Sequence, residues 1–193
     1  MTLFRTCILL TILTCLSQET PGQKVAPDQP DFIEAQIYGA YPLKRHASWI
    51  VYLHHGQTNR FLPIFIGQCE GNAIWRKLQE VDFPRPLTHD LFQNVLEAAG
   101  TRILSAQIDQ MRPLDDRESG TYFAVLTLQQ ADGTRTEVDA RPSDSIALAV
   151  RMKFPIYVAR QIFEENSVEA DLVPEKSAPD PLSQTPSKTR GFY

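Results

Sequence analysis

Short apolar runs separated by polar turns fill the middle of the chain and predict β-strands. Residues 49–53 and 122–126 are two such runs, and each is followed by a polar turn that contains glycine. A third predicted strand follows each turn, at residues 61–66 and 136–140. Helical segments come after these strands, so the pattern predicts an α+β fold in which a mixed or antiparallel sheet carries packed helices.

The two halves of this pattern resemble each other. The tripeptide Ala-Gln-Ile at residues 35–37 recurs 71 positions later, and the apolar strand recurs 73 positions later. The predicted helix start at Glu70 recurs at Asp144, and a second helix is predicted in each half, at residues 90–99 and 159–165. The common order of these matches predicts a duplicated β-β-β-α-α unit with an approximate two-fold axis.

The most apolar helix is predicted from Ile146 to Val150, where no polar side remains, so it should be buried nearly all round. Ser143 is its predicted N-cap, and Asp144 lies in the first turn, where the helix dipole favours negative charge. In the preceding strand, a period of two puts Asp139 on the same face as Arg141. This charged entrance either braces the helix or forms the wall of a site.

Composition and charge narrow the class of protein. The chain has 193 residues, is 42% hydrophobic and 22% charged, and carries a formal net charge of −4, with a pI near 5.6. These values fit one globular domain with a sizeable core. They argue against a large basic surface that coats nucleic acid, while leaving room for a small basic groove.

The N-terminus resembles an export signal. Arg5 precedes an apolar run at residues 6–16 that has the length of a signal-peptide core and is too short to span a bilayer comfortably. We therefore expect a signal peptide at residues 1–17, no transmembrane helix, and an extracytoplasmic location (periplasmic, secreted, or lipid-anchored at Cys15). The alternative is a cytoplasmic protein whose true start lies downstream.

Three further boundaries complete the predicted organisation. Residues 18–31 form a polar linker, residues 32–166 form the domain, and residues 167–193 form a disordered tail that is rich in proline and serine.

Cys69 is the lone cysteine of the predicted mature chain, which excludes an internal disulfide. It is either a small buried side chain at a helix start or a nucleophile.

Three clusters could carry chemistry. Glu70 and Asp144 occupy matching helix starts, where two carboxylates could hold a divalent cation or supply a general base, or could only stabilise helix N-termini. Thr88 is a predicted N-cap, and His89 and Asp90 follow it in the first turn, so this segment is either a proton-transfer site or a plain helix cap.

The third cluster is Asp139 with Arg141. The two side chains either form a salt bridge that locks the strand end to the helix, or leave Arg141 free to offer its planar fork to a phosphate. The common enzyme signatures are absent from the sequence, including the P-loop, the dinucleotide glycine fingerprint, HExxH and GxSxG.

Several of these segments together resemble the bifunctional nuclease domain family. The resemblance covers roughly residues 32–166 and rests on motifs in the same order. They are Arg60-Phe61-Leu62-Pro63-Ile64-Phe65-Ile66-Gly67 with Glu70, Pro84-Arg85-Pro86-Leu87-Thr88-His89-Asp90-Leu91, Tyr122-Phe123-Ala124, and Asp139-Ala140-Arg141-Pro142-Ser143-Asp144-Ser145-Ile146-Ala147-Leu148-Ala149-Val150-Arg151. One departure is Gly71, where the family more often has alanine, and glycine there weakens the helix start.

The resemblance implies an α+β fold unlike the common nuclease folds, self-association into a homo-oligomer, and activity on DNA and RNA. Carried over by motif, it also implies the functional positions, which are Glu70, Thr88, His89, Asp90, Asp139, Arg141, Ser143 and Asp144.

Our leading hypothesis is a nuclease that hydrolyses phosphodiester bonds, with nucleic acid as its partner. Glu70, Asp139 and Asp144 would hold a divalent cation such as Mg²⁺ or activate water. Arg141 would neutralise the phosphate with help from Thr88 and Ser143, and His89, beside Asp90, would protonate the leaving oxygen.

The competing hypothesis is a non-catalytic binding or regulatory oligomer with no cofactor. In that case the same charged cluster would brace helix entrances or hold an anionic ligand.

Overall fold

A computed structural model describes residues 31–43, 47–113 and 120–175, which form one eight-stranded sheet with helices packed against it. The elements in chain order are β1 (Phe32–Leu43), β2 (Ser48–His54), β3 (Arg60–Gly67), α1 (Gln68–Leu78), α2 (Thr88–Ala98), β4 (Arg102–Pro113), β5 (Gly120–Gln129), β6 (Arg135–Ala140), α3 (Pro142–Met152), β7 (Ile156–Ala159), α4 (Arg160–Asn166), β8 (Val168–Glu169) and a 3₁₀ turn at Ala170–Leu172.

The strand order in the sheet is β6-β5-β4-β7-β1-β2-β3-β8. Two antiparallel meanders, β1-β2-β3 and β4-β5-β6, stand on either side of β7. Strand β7 pairs parallel with β4 and antiparallel with β1, so the sheet is mixed. The predicted α+β class is therefore confirmed.

The predicted internal duplication stays a prediction. Both halves begin with three strands and a helix, but β7 stands between α3 and α4, whereas no strand separates α1 from α2. This additional strand lies at the centre of the sheet and joins the two meanders through hydrogen bonds.

Strand β2 explains how the sheet buries both of its faces. Trp49, Val51 and Leu53 join the main core under the helices, whereas Ile50 and Tyr52 join a smaller cluster on the opposite face. This is the period-two alternation of a strand, here with apolar side chains on both sides.

The segment after residue 166 corrects a predicted boundary. The sequence predicts a disordered tail from residue 167, but β8 pairs with β3, and Val168 and Val173 pack on the smaller cluster. Arg60 donates from Nε to Ser167 Oγ and from Nη2 to Ser167 O, both at 2.7 Å. These contacts extend the packed domain to Val173, because a few apolar side chains within a polar stretch suffice to cover an open sheet face.

Helix α3 is buried as predicted, with Ile146 and Ala147 at 0% exposure. The predicted N-cap is wrong, since Arg141 caps the helix and Ser143 is its second residue. Pro142 explains the shift, because a proline at the first helical position has no N–H to leave unpaired, and the Ser145 N–H reaches Arg141 O at 3.1 Å.

Helix α2 lies differently, because none of its residues is buried and it exposes Leu91, Phe92 and Val95. The self-association expected from the resemblance stays a prediction.

No helix in the described part of the chain is long and apolar enough to cross a membrane. The predicted signal peptide, the linker up to residue 30 and the anchor at Cys15 lie outside the described residues.

Candidate functional site

Three helices each begin with an acidic side chain at their third residue. Glu70, Asp90 and Asp144 hold this position in α1, α2 and α3, where the N-terminal end of the dipole stabilises negative charge. Helix α3 packs against both α1 and α2. The acidic first turns of α1 and α3 are joined by Arg141, whereas the first turn of α2 binds a different arginine.

Arg141 bridges the two helix starts that the sequence paired. Its Nε donates to Asp144 Oδ2 at 2.7 Å, and its Nη2 donates to Asp144 Oδ1 at 2.9 Å and to Glu70 Oε1 at 2.8 Å. Hydrogen bonds to Asp144 and then to Glu70 raise the pKa of Arg141 above its already high value. The Arg141 side chain nevertheless stays 65% exposed, and its Nη1 takes part in none of these bonds. A guanidinium held in one orientation can therefore still meet a ligand.

These residues lie in an open cleft of about 800 Å³ between the starts of α1, α2 and α3. Glu70 and Asp144 form one wall with Arg141, and His89 and Thr88 of α2 form another. His89 Nε2 lies 3.9 Å from Asp144 Oδ1, which is an electrostatic contact and too long for a hydrogen bond. The cleft thus brings the imidazole and the guanidinium to the same carboxylate, with His89 Nε2 and Arg141 Nη2 both near Asp144 Oδ1.

The environment of His89 favours the neutral imidazole. Burial lowers the pKa of His89 below its usual 6.5, and Arg151 lowers it further, while Asp144, Asp90 and Glu70 oppose the shift. A neutral imidazole near neutral pH accepts a proton more readily than it donates one. The predicted proton donor is thus better suited to act as a base in the resting site.

Asp90, which the sequence grouped with His89, belongs to a separate structural cluster. Its Oδ1 accepts from Arg151 Nε at 2.6 Å, and its Oδ2 accepts from the Leu87 N–H at 3.0 Å. Partial burial tends to raise the pKa of Asp90, but the hydrogen bonds from Arg151 and Leu87 outweigh it and lower this pKa below 3.8. Leu87 is consequently the N-cap of α2, and the prediction of Thr88 in that role is wrong.

Arg151 is the buried partner in this cluster, with 3% of its side chain exposed. Its Nη1 donates to Ala147 O at 2.7 Å, and its Nη2 reaches Ala73 O at 3.4 Å. A buried guanidinium with a carboxylate and two carbonyl acceptors ties α1, α2 and α3 together. Asp90 is therefore placed to hold the start of α2, and with it His89, in position.

Gly71 has a packing role that the sequence does not reveal. A Cβ at this position would lie 2.2 Å from Trp49 Cγ, so the indole of β2 occupies the space that an alanine side chain would need. Trp49 is 5% exposed and packs near Trp75 of α1, with ring centroids 6.4 Å apart. The departure from the family pattern is matched by a large neighbour and leaves Glu70 in the cleft.

The remaining predicted residues lie apart from this geometry. Asp139 is exposed on β6, the edge strand, where it pairs with Val125 of β5 and does not line the cleft. Its predicted salt bridge with Arg141 is wrong, because Arg141 turns to Glu70 and Asp144. Ser143 is buried in the first turn of α3, so a direct contact with substrate is not favoured.

The predicted metal ligands do not fit a metal site. Among the residues that the structure describes, no group of three or more His, Cys, Asp and Glu side chains is arranged to hold an ion. Asp139 lies outside the cleft, and Arg141 occupies the position between Glu70 and Asp144. A divalent cation would have to displace this guanidinium.

The sequence alone missed two residues of this region, and it left the role of a third open. The signal that could have found Arg151 is its charge within the apolar part of the helix, since a buried charge requires a partner. Arg76 also lines the cleft, at a position typical of an ordinary helix C-terminus. Of the two alternatives for Cys69, a small buried side chain is wrong, because Cys69 is exposed in the first turn of α1 and lines the cleft.

Comparison with known proteins agrees with the motifs. The bifunctional nuclease domain matches residues 51–171. An uncharacterized protein of Mycobacterium tuberculosis is 36% identical over 128 residues, which cover 66% of this chain and 70% of the relative.

Two plant proteins named Bifunctional nuclease 1 are more distant. The Oryza sativa (subsp. indica) protein is 25% identical over 58% of this chain and 33% of its own length. The Arabidopsis thaliana protein is 24% identical over 72% of this chain and 41% of its own length. The chain thus spans about a third to two fifths of these plant relatives. By the extent of the domain match, this chain belongs to the bifunctional nuclease domain family.

Proposed function

We propose that the protein is a nuclease that hydrolyses phosphodiester bonds in DNA, RNA or both. The observation that carries the proposal is the convergence of His89 and Arg141 on Asp144 within one open cleft. A base and a fixed cation beside a shared carboxylate can activate water and stabilise the charge that develops on a phosphoryl group. The names of the plant relatives support the same class of reaction.

Arg141 is the proposed phosphate-binding residue. Glu70 and Asp144 fix its guanidinium, and most of its side chain remains exposed to the cleft. Its Nη1 atom can donate to a non-bridging phosphate oxygen while Nε and Nη2 keep their protein partners. Holding the cation in advance lowers the cost of reorganisation in the transition state.

His89 is the proposed general base. The neutral imidazole takes a proton from the attacking water, whose oxygen forms a new bond to phosphorus. The phosphorus–oxygen bond to the leaving group breaks, and the leaving oxygen takes a proton from solvent. Asp144 then stabilises the imidazolium, since its charge already acts to raise the pKa of His89. Thr88 is exposed at the same edge of the cleft and can donate a hydrogen bond to the substrate.

The test compares purified wild-type protein with His89→Ala and Asp144→Asn on end-labelled single-stranded DNA and RNA, with and without a chelator. We expect both substitutions to lower cleavage about 10²-fold or more, because each removes one member of the proton-transfer pair. Circular dichroism and thermal melting establish that the variants are folded.

Asp139→Asn is the matched control, since it makes the same chemical change outside the cleft. It is expected to cleave as the wild type does. Equal digestion by wild type, His89→Ala and Asp144→Asn would identify a contaminating nuclease and reject the proposal. A loss confined to Asp139→Asn would move the reacting site to β6.

A further inference from the structure

A second and smaller pocket, of about 320 Å³, adjoins the cleft. The two cavities share Arg76, Pro86 and Leu87 as lining residues, so they lie next to each other on the surface. The pocket lies between the last turn of α1 and the loop that leads into α2. A chain molecule that occupies the cleft could therefore run on into the pocket without leaving the surface.

The pocket is more basic than the cleft. Four basic side chains line it against two acidic ones, Asp82 and Asp90. Asp90 forms an ion pair with Arg151 and also interacts electrostatically with Lys77, so Arg76, Lys77 and Arg85 still leave an excess of positive charge in the pocket. Among the described residues, these three cations form no ion pair with a carboxylate within 4.0 Å. On a chain with a net charge of −4, such a local excess attracts an anion to this place.

Arg76 is held in position, but one atom of its guanidinium group has no hydrogen-bond partner within the described ranges. Its Nε is buried and, in the part of the chain that the structure describes, has no hydrogen-bond acceptor. Its guanidinium carbon lies 4.9 Å from the centroid of the Phe83 ring, a cation–π contact that orients the group without neutralising it. A buried donor without a hydrogen-bond partner is costly in free energy, so the packing that holds Arg76 in this position does so against that cost.

Helix electrostatics explain only part of this cluster. Arg76 and Lys77 belong to the last turn of α1, where the dipole favours positive charge. Arg85 lies in the loop between two prolines, outside both helices, and yet it lines the same pocket. Dipole stabilisation therefore does not account for the convergence of all three.

We propose that this pocket binds a flanking phosphate of the same nucleic-acid strand whose phosphodiester bond lies in the cleft. This inference rests on the proposed function and defines its substrate as a strand with at least two phosphodiester groups. Arg76 and Arg85 supply guanidinium forks for phosphate oxygens, and Lys77 adds a point charge. The scissile phosphate meets Arg141, and the flanking phosphate meets the basic pocket.

The decisive experiment measures binding in the His89→Ala background, so that cleavage does not interfere. Fluorescence anisotropy follows a labelled single-stranded oligonucleotide with His89→Ala alone and with Arg85→Gln or Arg135→Gln added. Arg135 is the matched control, because it is an exposed cation on β6 away from the pocket. We expect Arg85→Gln to raise the Kd about tenfold, the effect of one lost hydrogen bond to a charged group. The slope of log affinity against log salt should fall by roughly 0.7 for the lost phosphate contact.

The same variants in the otherwise wild-type protein test the length of the substrate. Wild type should cleave longer strands with a higher kcat/KM than a dinucleotide. Arg85→Gln should lower the ratio of these two kcat/KM values, whereas Arg135→Gln should keep the wild-type ratio. Arg76→Gln gives a second test of the pocket, with its melting temperature measured to separate binding from stability.

The outcomes separate the two proposals. Equal Kd values and equal salt slopes for Arg85→Gln and Arg135→Gln would overturn the pocket, as would a wild-type-like length preference in Arg85→Gln. Absence of cleavage with the Arg85-dependent binding intact would reject the proposed hydrolysis and leave the basic pocket as an oligonucleotide-binding site. No binding of the oligonucleotide by His89→Ala would reject the pocket assignment itself.

Discussion

Two arginines on one helix show how burial divides structural from functional chemistry. Arg141 at the start of α3 and Arg151 in its last turn both hold carboxylates from neighbouring helix starts. The Arg141 side chain is 65% exposed, whereas that of Arg151 is 3% exposed. The buried guanidinium is engaged by its protein acceptors, but the exposed one keeps its Nη1 free of protein partners in the cleft among the described residues. The same pair of residue types thus stabilises the fold in one place and offers a binding group in the other.

This difference predicts opposite consequences for Asp90 and Asp144. Removing a carboxylate from a buried pair leaves an uncompensated charge inside the protein, which is strongly destabilising. Removing one from an exposed pair costs little, because water and salt replace the interaction. Stability measurements should therefore separate the two clusters even though the sequence grouped both acids as catalytic candidates.

The largest effect is expected for Asp90→Ala. This substitution leaves the buried Arg151 without its carboxylate and the Leu87 N–H without its acceptor. We expect the free energy of unfolding to fall by about 3 kcal/mol, and the melting temperature to fall by roughly 10 °C. Urea denaturation and thermal melting measure both values.

Asp82→Ala is the control for this prediction, since Asp82 is an exposed acid in the same region. It should change the free energy of unfolding by about 0.5 kcal/mol or less. If Asp90→Ala has the melting temperature of the wild type but loses all cleavage, Asp90 would belong to the reacting site. The assignment of Asp90 to a structural cluster and of Asp144 to the site would then be wrong.

Arg141→Gln should give the converse result. We expect kcat/KM for oligonucleotide cleavage to fall about 10²- to 10³-fold, because the fixed cation at the phosphate is lost. The free energy of unfolding should fall by less than about 1 kcal/mol, since the side chain is largely exposed. Steady-state kinetics and urea denaturation on the same preparation test both halves.

Arg141→Lys sharpens this comparison. Lysine keeps the charge but loses the planar fork that bonds Asp144 and Glu70 together, so it should recover only part of the activity. Full recovery would show that the orientation of the guanidinium is unimportant. A large fall in the free energy of unfolding of Arg141→Gln would indicate that Arg141 mainly braces the helix starts and does not serve mainly as a phosphate-binding residue.

A smaller effect is expected in the dependence of activity on pH. Burial lowers the pKa of His89 below 6.5, so the imidazole is mostly neutral at pH 7 and becomes protonated only when the pH falls through this lowered value. If His89 is the base, kcat/KM should rise with pH to a plateau, with its midpoint below pH 6.5. Asp144→Asn removes a charge that raises the pKa of His89, so the midpoint should move to lower pH in the residual activity.

A kcat/KM that falls with rising pH would contradict the role of His89 as the general base. If His89 donated its proton to the leaving oxygen, activity would fall as the pH rises through the same pKa. A profile of kcat/KM for wild type, Asp139→Asn and Asp144→Asn at constant ionic strength distinguishes the two directions. Asp139→Asn should keep the wild-type midpoint.

Features of the fold and the site could be predicted from the sequence when they depend on residues close together in the chain. Period-two strands, the apolar helix α3 and the paired acids at Glu70 and Asp144 follow from neighbouring residues, and the structure has each of them. The division between Arg141 and Arg151 could not be predicted, because it depends on how α1 and α2 pack on α3. The placement of Asp139 in the site could not be predicted for the same reason. Strand alternation predicts which face Asp139 and Arg141 occupy, but it does not predict which carboxylate Arg141 binds.

The smallest effect concerns salt, and it tests the physical cause of the division most directly. At low ionic strength, Arg141→Gln should lower the free energy of unfolding by about 0.2–1 kcal/mol, the usual range for an exposed ion pair. At about 1 M NaCl the Debye length falls to about 3 Å, so this difference should shrink towards zero. The loss caused by Asp90→Ala should persist, since bulk ions do not reach the buried Arg151. Urea midpoints at both ionic strengths measure each difference, and an Arg141→Gln effect that survives high salt would mean that its guanidinium is shielded from solvent like that of Arg151.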